Sequence, residues 1–440
     1  MKPSSLPLTA LVVLLAGAAP AKSDAVLDWN AIAAQTIFAG GRPGPSAVLD
    51  LAVVQATVHD AVQAYDRRFE PYATDIEDAS GSPAAAVARA TRDVLVNRFP
   101  AQAGSVDAAY VAYLAAQGLD ATDPGVMVGQ EAAAGMIALR TGDGSFPQPP
   151  PPDFVGANLP GVWRPTPSFL PGPPPSLAPM AAPWLAEVTC FALHDPAQFQ
   201  PSPPPALNSG RYRRDYNEVK SLGRDVGSTR TPEQTQLAYF WAENFFAQWN
   251  RALRAIAETD LDNMGDRARL FALAWLAAAD GVIVTWDAKI RYVYWRPVTA
   301  IREGNNDGNP GTLGDPDWKP LVNTPNYPEY SSGANALTGG ITRILALFFG
   351  TDQVTFTVTS NNPLANPNAR TYQRFSDAAA DVVEARIYQG IHFRTADVVA
   401  RRLGRQIARW VFEHSLRPLH PECHADDGRD DHEDEGAGND

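Results

Sequence analysis

The sequence predicts an all-α protein, two helical regions joined by an ordered proline-rich arm. Ala and Leu recur at helical spacing through most of the chain, with no convincing runs of strict alternation. Clusters of Gly, Pro, Asn and Asp separate these segments. With 440 residues, 45% of them apolar, a large core is affordable, and 18 Phe, 13 Tyr and ten Trp exclude a wholly disordered chain.

Residues 1–21 read as a secretory leader: Lys2, an apolar run from Leu8 to Ala19, then Ala19-Pro20-Ala21 as a cleavage signal. The run is shorter than the roughly 20 residues that span a bilayer. The expectation is export to the periplasm or beyond, without stable membrane insertion. No later segment reads as long and apolar enough to span. The N-terminal helical region, 22–146, holds helices expected at Val48–Tyr65, Ala84–Phe99, Val106–Gln117 and Gly125–Thr141. In the arm, 147–205, proline runs such as Pro149–Pro152 exclude helix or sheet interior. Phe154, Trp163, Phe169, Trp184 and Phe191 nevertheless give it apolar anchors, so an ordered path over a core surface is expected.

The C-terminal helical region spans 206–420. Thr231-Pro232-Glu233 opens a helix to about Glu258, since Thr caps and Pro suits the first turn. Arg267–Lys289 follows, extending slightly further. An irregular loop covers Glu303–Glu329, and helices resume at Ala334–Phe349, Tyr372–Gln389 and Thr395–His414. Residues 421–440 carry nine acids and one base and read as a disordered tail. The net charge of −13 is concentrated there, so the body is close to neutral. Neither a nucleic acid nor an anionic membrane is held by charge of that sign, and any anion must be caught locally. Cys190 and Cys423 cannot make a dense disulfide framework, and a bridge to the tail is not expected.

Three segments carry candidate chemistry. Lys289 and Arg296 lie seven apart, which on a continuing helix presents both cations on one side before Pro297 limits it. Tyr330-Ser331-Ser332-Gly333 precedes a helix, where free N–H groups and the positive dipole end favour an anion. In Arg386-Ile387-Tyr388-Gln389-Gly390-Ile391-His392, Gly390 can end a helix in a left-handed turn and aim His392 from a short connection. Together they supply three cations, a helix N-terminus and an imidazole, the set a multiply charged tetrahedral oxyanion requires. His59, on an early helix, is a further histidine in ordered surroundings.

In this order the segments resemble the signature of the vanadium-dependent haloperoxidase and type 2 phosphatidic acid phosphatase superfamily: Lys-x6-Arg-Pro, Pro-Ser-Gly-His and Ser-Arg-x5-His-x3-Asp. The first part matches at Lys289, Arg296 and Pro297, the second at Ser332 and Gly333, the third at Arg386 and His392. Asp28-Trp29-Asn30, His59-Asp60-Ala61, Val162-Trp163-Arg164-Pro165 and Tyr294 to Arg302 look like the exported bacterial haloperoxidase-like branch. The resemblance implies two packed helical bundles with vanadate held at one end of the second; phosphate can occupy the same site. By that resemblance Lys289, Arg296, Ser332, Gly333 and Arg386 bind the oxyanion, His392 is the axial ligand of vanadium, and Lys289 polarises bound peroxide.

The departures fall on proton transfer. The family's second-segment His is Ala334, Ala385 replaces Ser, and Asp397 lies one place late. An alanine protonates no leaving group, and loss of a general acid commonly costs about 10² to 10⁴ in rate. His59, Tyr330, Asn335 and Asp397 are auxiliary candidates. The first reading is a vanadate-binding haloperoxidase-like enzyme acting on hydrogen peroxide and halide. The alternatives are an acid-phosphatase-like hydrolase of small phosphoesters with His392 as nucleophile, and an oxyanion-binding protein with little turnover.

Overall fold

Residues 24–169 and 177–420, which the computed structural model describes, fold as thirteen α-helices and one short hairpin. The expected leader and acidic tail lie outside the described residues. The N-terminal region contains α1 (Ala25–Ala39), α2 (Gly44–Asp66), α3 (Pro83–Arg98), α4 (Ala103–Ala116) and α5 (Gly125–Leu139). The C-terminal region contains α6 (Gly210–Leu222), α7 (Pro232–Phe240), α8 (Phe245–Asp260), α9 (Met264–Tyr292), α10 (Pro297–Arg302), α11 (Gly333–Phe348), α12 (Phe375–Tyr388) and α13 (Arg394–His414). One apolar core runs through both regions.

The axis of that core is α9, apolar all round and flanked by α2, α11 and α13. By length and composition it could cross a membrane, a correction to the expectation that no later segment could. Its apolar window is entirely buried by protein, as a helix without a polar face requires in water. Glycines bring α11 against α13: a Cβ on Gly404 would stand 2.0 Å from the Ala336 carbonyl oxygen, and one on Gly339 2.4 Å from that of Arg401. Any larger residue there pushes the two backbones apart.

Several elements differ from the sequence reading. The helix expected from Thr231 to Glu258 is two. Thr231 opens α7 in a capping box with Gln234, and after Trp241 the Asn244 side chain accepts the Phe246 N–H to start α8. Tyr372 belongs to an antiparallel hairpin, β1 (Phe356–Thr359) and β2 (Ala369–Tyr372), rather than to α12. The arm is ordered where described. Trp163 is fully buried and its backbone N–H donates to the Val293 carbonyl at 2.6 Å. Asp280, buried on α9, accepts the N–H groups of Phe191, Ala192 and Leu193 at 2.6, 2.8 and 3.0 Å. Cys190 is buried with a free thiol.

Candidate oxyanion site

The last turns of α9 place Lys289 inside the protein, fully buried. Tyr292 ends the helix and Val293 turns left-handed, with φ 45°. Arg296 therefore does not share a helical face with Lys289, as the seven-residue spacing suggested. It caps α10 from an extended backbone, and the reversal brings its guanidinium back to the lysine. Gly390, with φ 78°, ends α12 as expected, its Cα hydrogens facing the Gly223 carbonyl where a side chain would collide. His392 follows in the connection to α13.

The imidazole is bound on both sides. Its Nε2 lies 3.1 Å from Arg296 Nη1, and its Nδ1 lies 3.0 Å from Glu329 Oε1. An arginine only donates, so Nε2 accepts and Nδ1–H donates to the carboxyl group. His392 is thus a neutral imidazole with its Nε2 lone pair toward the cations. Burial, then Arg296, Arg386 and Lys289, hold its pKa well below the ordinary value. Glu329 Oε1 also accepts the Phe393 N–H at 2.9 Å. Burial pushes the Glu329 carboxyl up to about 8, against the pull of Arg296 and Lys289. Sequence reasoning missed this residue; its one signal is an acid closing the irregular loop beside the Ser-Gly segment.

Arg296 donates from Nε to the Tyr327 carbonyl at 2.9 Å and from Nη1 to that of Ile391 at 2.8 Å. Arg386 donates to Gln389 Oε1 at 2.6 Å. Arg296 Nη2, Arg386 Nε and Ser331 Oγ are buried without a partner among the described residues. The Tyr327 ring lies 5.0 Å from Lys289 Nζ and 4.9 Å from the Arg296 guanidinium carbon. Burial and mutual repulsion lower the pKa of Lys289 well below normal and that of Arg296 to about 10. Such a cluster favours a multiply charged anion.

At the start of α11 the Ser332 side chain makes no capping bond, so the helix end presents free N–H groups. Lys289 is more committed than the sequence suggested. Its Nζ donates to the carbonyls of Pro328, Glu329 and Ser331 at 2.7, 3.1 and 2.6 Å, using all three hydrogens on the loop that carries Ser332.

The auxiliary candidates separate. Asp397, fully buried, accepts from Asn335 Nδ2 at 2.8 Å instead of pairing with His392. Burial raises its carboxyl to about 7, opposed by Ser332, Arg386 and Asn335. Tyr330 Oη donates to the Ser202 carbonyl of the arm at 2.6 Å. His59 is elsewhere: its Nε2 lies 3.0 Å from the Glu70 carbonyl, and its charged neighbours are Arg269 and Asp66. Arg269 and Lys289 are twenty residues apart on α9, about 30 Å along the helix, so His59 cannot replace the second-segment histidine. Burial pushes its pKa down to about 4. Ala334 stands in the wall of a cavity of ≈ 640 Å³ that also meets Gly333 and Arg386.

The fold is all-α, and these side chains gather three buried cations beside a neutral imidazole at the start of α11. Residues 269–421 match the family described as the VCPO second helical-bundle domain. The vanadium chloroperoxidase of Curvularia inaequalis is 27% identical over 201 residues, 38% of this chain and 32% of that protein, so the match spans about a third of the relative's length. The solved structure of a bacterial vanadium-dependent iodoperoxidase superposes with a TM-score of 0.75 at 23% identity, covering 90% of this chain and 96% of that one. An apo bacterial vanadium-dependent chloroperoxidase does so at 0.68 and 20% identity, covering 83% of this chain and 92% of its own. The solved structures show that the chain shares their fold, and residues 269–421 are similar to the second helical-bundle domain of that family.

Proposed function

We propose that the chain is a vanadate-binding haloperoxidase-like enzyme that oxidises halide with hydrogen peroxide. One observation carries the reading: a neutral imidazole, fixed through Nδ1 by Glu329, turns its Nε2 lone pair into a buried cluster of Lys289, Arg296 and Arg386. The residues fit vanadate by their unpartnered donors, Arg296 Nη2, Arg386 Nε and the N–H groups opening α11, and by the His392 Nε2 lone pair, which would give up its contact with Arg296 Nη1 to ligate. Bound vanadate would supply Lewis-acid activation of peroxide. The chain's part is to neutralise oxyanion charge with Arg296, Arg386 and Lys289, and to keep the His392 proton on Nδ1. Ser332 and Gly333 bring α11's N–H groups to the oxygens.

Phosphomonoester hydrolysis in the same pocket needs a proton for the leaving oxygen. Ala334 supplies none, and Glu329 and Asp397 are engaged with His392 and Asn335. Halide oxidation is therefore the preferred reading. Vanadate-free protein, assayed for bromination of a phenol reporter with peroxide and bromide, is expected to respond to added orthovanadate. Vanadate-inhibited hydrolysis of an aryl phosphate, without halogenation, would overturn this in favour of the phosphatase. We further propose export, on the leader signature of residues 1–21.

A further inference from the structure

The N-terminal region holds a second, smaller cavity of ≈ 250 Å³, below the roughly 300 Å³ at which drug-sized pockets begin. It lies among the α1–α2 turn, α3 and the end of α5, and its charged wall is Arg42, Arg98, Arg140 and Asp143. Arg140 and Asp143 satisfy each other: Arg140 Nε donates to Asp143 Oδ2 at 2.8 Å, and its other two nitrogens donate to the Cys190 and Thr189 carbonyls at 3.2 and 2.8 Å. Arg42 and Arg98, by contrast, share a single carboxylate, Asp50, fully buried on α2. Arg42 Nε lies 2.8 Å from Asp50 Oδ2, and Arg98 Nε donates to Asp50 Oδ1. One positive charge is left over. Arg98 Nη2 is buried without an acceptor among the described residues, a costly state for a donor. The Phe146 ring fixes the pair from one side, its centroid 3.4 Å from the guanidinium carbon of Arg42 and 5.4 Å from that of Arg98. Val53, Val94 and Ile137 add apolar wall.

We propose that this cavity binds a small monocarboxylate, its two oxygens on Arg42 and Arg98 and its apolar end against Val53, Val94 and Ile137. The charge of the ligand follows from the charge of the wall: two guanidiniums on one carboxylate leave a single positive charge, which a monoanion balances and a dianion oversteps. Its shape follows from the donors. A guanidinium offers a planar fork that matches the paired oxygens of a carboxylate, whereas a spherical halide meets only one donor of each fork well. The cavity shares no lining residue with the one beside the oxyanion cluster, so the proposal stands apart from the halide-oxidation reading.

Calorimetric titration of the full chain with benzoate, alone and with inorganic phosphate added to fill the oxyanion cluster, tests the site. Wild type is expected to bind one benzoate per chain, with a Kd changed less than two-fold by phosphate. Arg42→Met keeps an apolar stem beside Phe146 and removes a charged donor, so benzoate should weaken about ten-fold or more while the phosphate Kd stays within two-fold. Should that variant fail to fold, Asn97→Glu serves: Asn97 is an exposed residue of the lining, and a carboxylate there competes for the same arginines and should weaken benzoate about ten-fold. Asn97→Gln, which adds no charge, should stay within two-fold. No binding by wild type, displacement of benzoate by phosphate or by an equal concentration of chloride, or unchanged affinity in the folded charge variants overturns the proposal. A chain that takes benzoate but not phosphate supports this site and counts against the oxyanion reading alone.

Discussion

At the residue scale the site is a balance between buried cations and the groups that face them. Removing Arg296 or Arg386 by substitution with Ala deletes a charged donor of the kind that contributes about 1.5–3 kcal/mol in a hydrogen bond. Each change should weaken phosphate and vanadate at least ten-fold in equilibrium dialysis. His59→Ala, on α2 beside Arg269 and remote from the cluster, should leave that affinity within two-fold. Ala334→His restores a general acid where none stands, and a gain of at least ten-fold in aryl phosphate hydrolysis or bromination is the expected result of steady-state assay. An unchanged rate in both would mean that proton supply at this position is not limiting. Much of this was legible in sequence. Lys289, Arg296, Arg386 and His392 stand out because cations spaced around a helix N-terminus have few other uses. Glu329 was not legible, because an acid beside three cations looks adverse until the imidazole between them is seen.

At the element scale, helix positions followed the apolar period, while breaks depended on single side chains. The capping pattern at Thr231 announced α7, and Thr231→Ala should cost about 1 kcal/mol in denaturant unfolding by removing one cap bond. The end of α7 was not announced, since Trp241 to Asn244 read as a continuation until the Asn244 cap is seen. The hairpin's strands, four residues each, are too short for alternation to distinguish them from loop. The Lys289 and Arg296 relation shows the same limit: spacing suggested a shared face, whereas a left-handed Val293 brings them together by reversal. Gly404→Leu tests the glycine contact of α11 with α13. With no room for a Cβ, the variant should lose several kcal/mol of stability, or fail to fold, by thermal denaturation.

For the whole molecule, burying titratable groups ties stability to pH. Glu329 holds its proton more tightly folded, at about 8, than unfolded, near 4.5. The folded state therefore carries more protons between those values, and this group's contribution to stability falls as pH rises through that window. Lys289 and His392, both depressed, act in the opposite direction. The difference between wild type and Glu329→Gln isolates the carboxyl: the variant should lose less stability, or gain more, from pH 5 to pH 8 in urea unfolding. Identical pH profiles would count against a raised carboxyl at 329.

The three hydrogens that Lys289 spends on the loop of Pro328, Glu329 and Ser331 bear on kinetics. A ligand oxygen that wants this ammonium must first displace a carbonyl from it, so capture is a two-stage event, an encounter with the arginines followed by a handover. Saturation of the observed association rate at high oxyanion concentration, in stopped-flow mixing, would be the trace of that exchange.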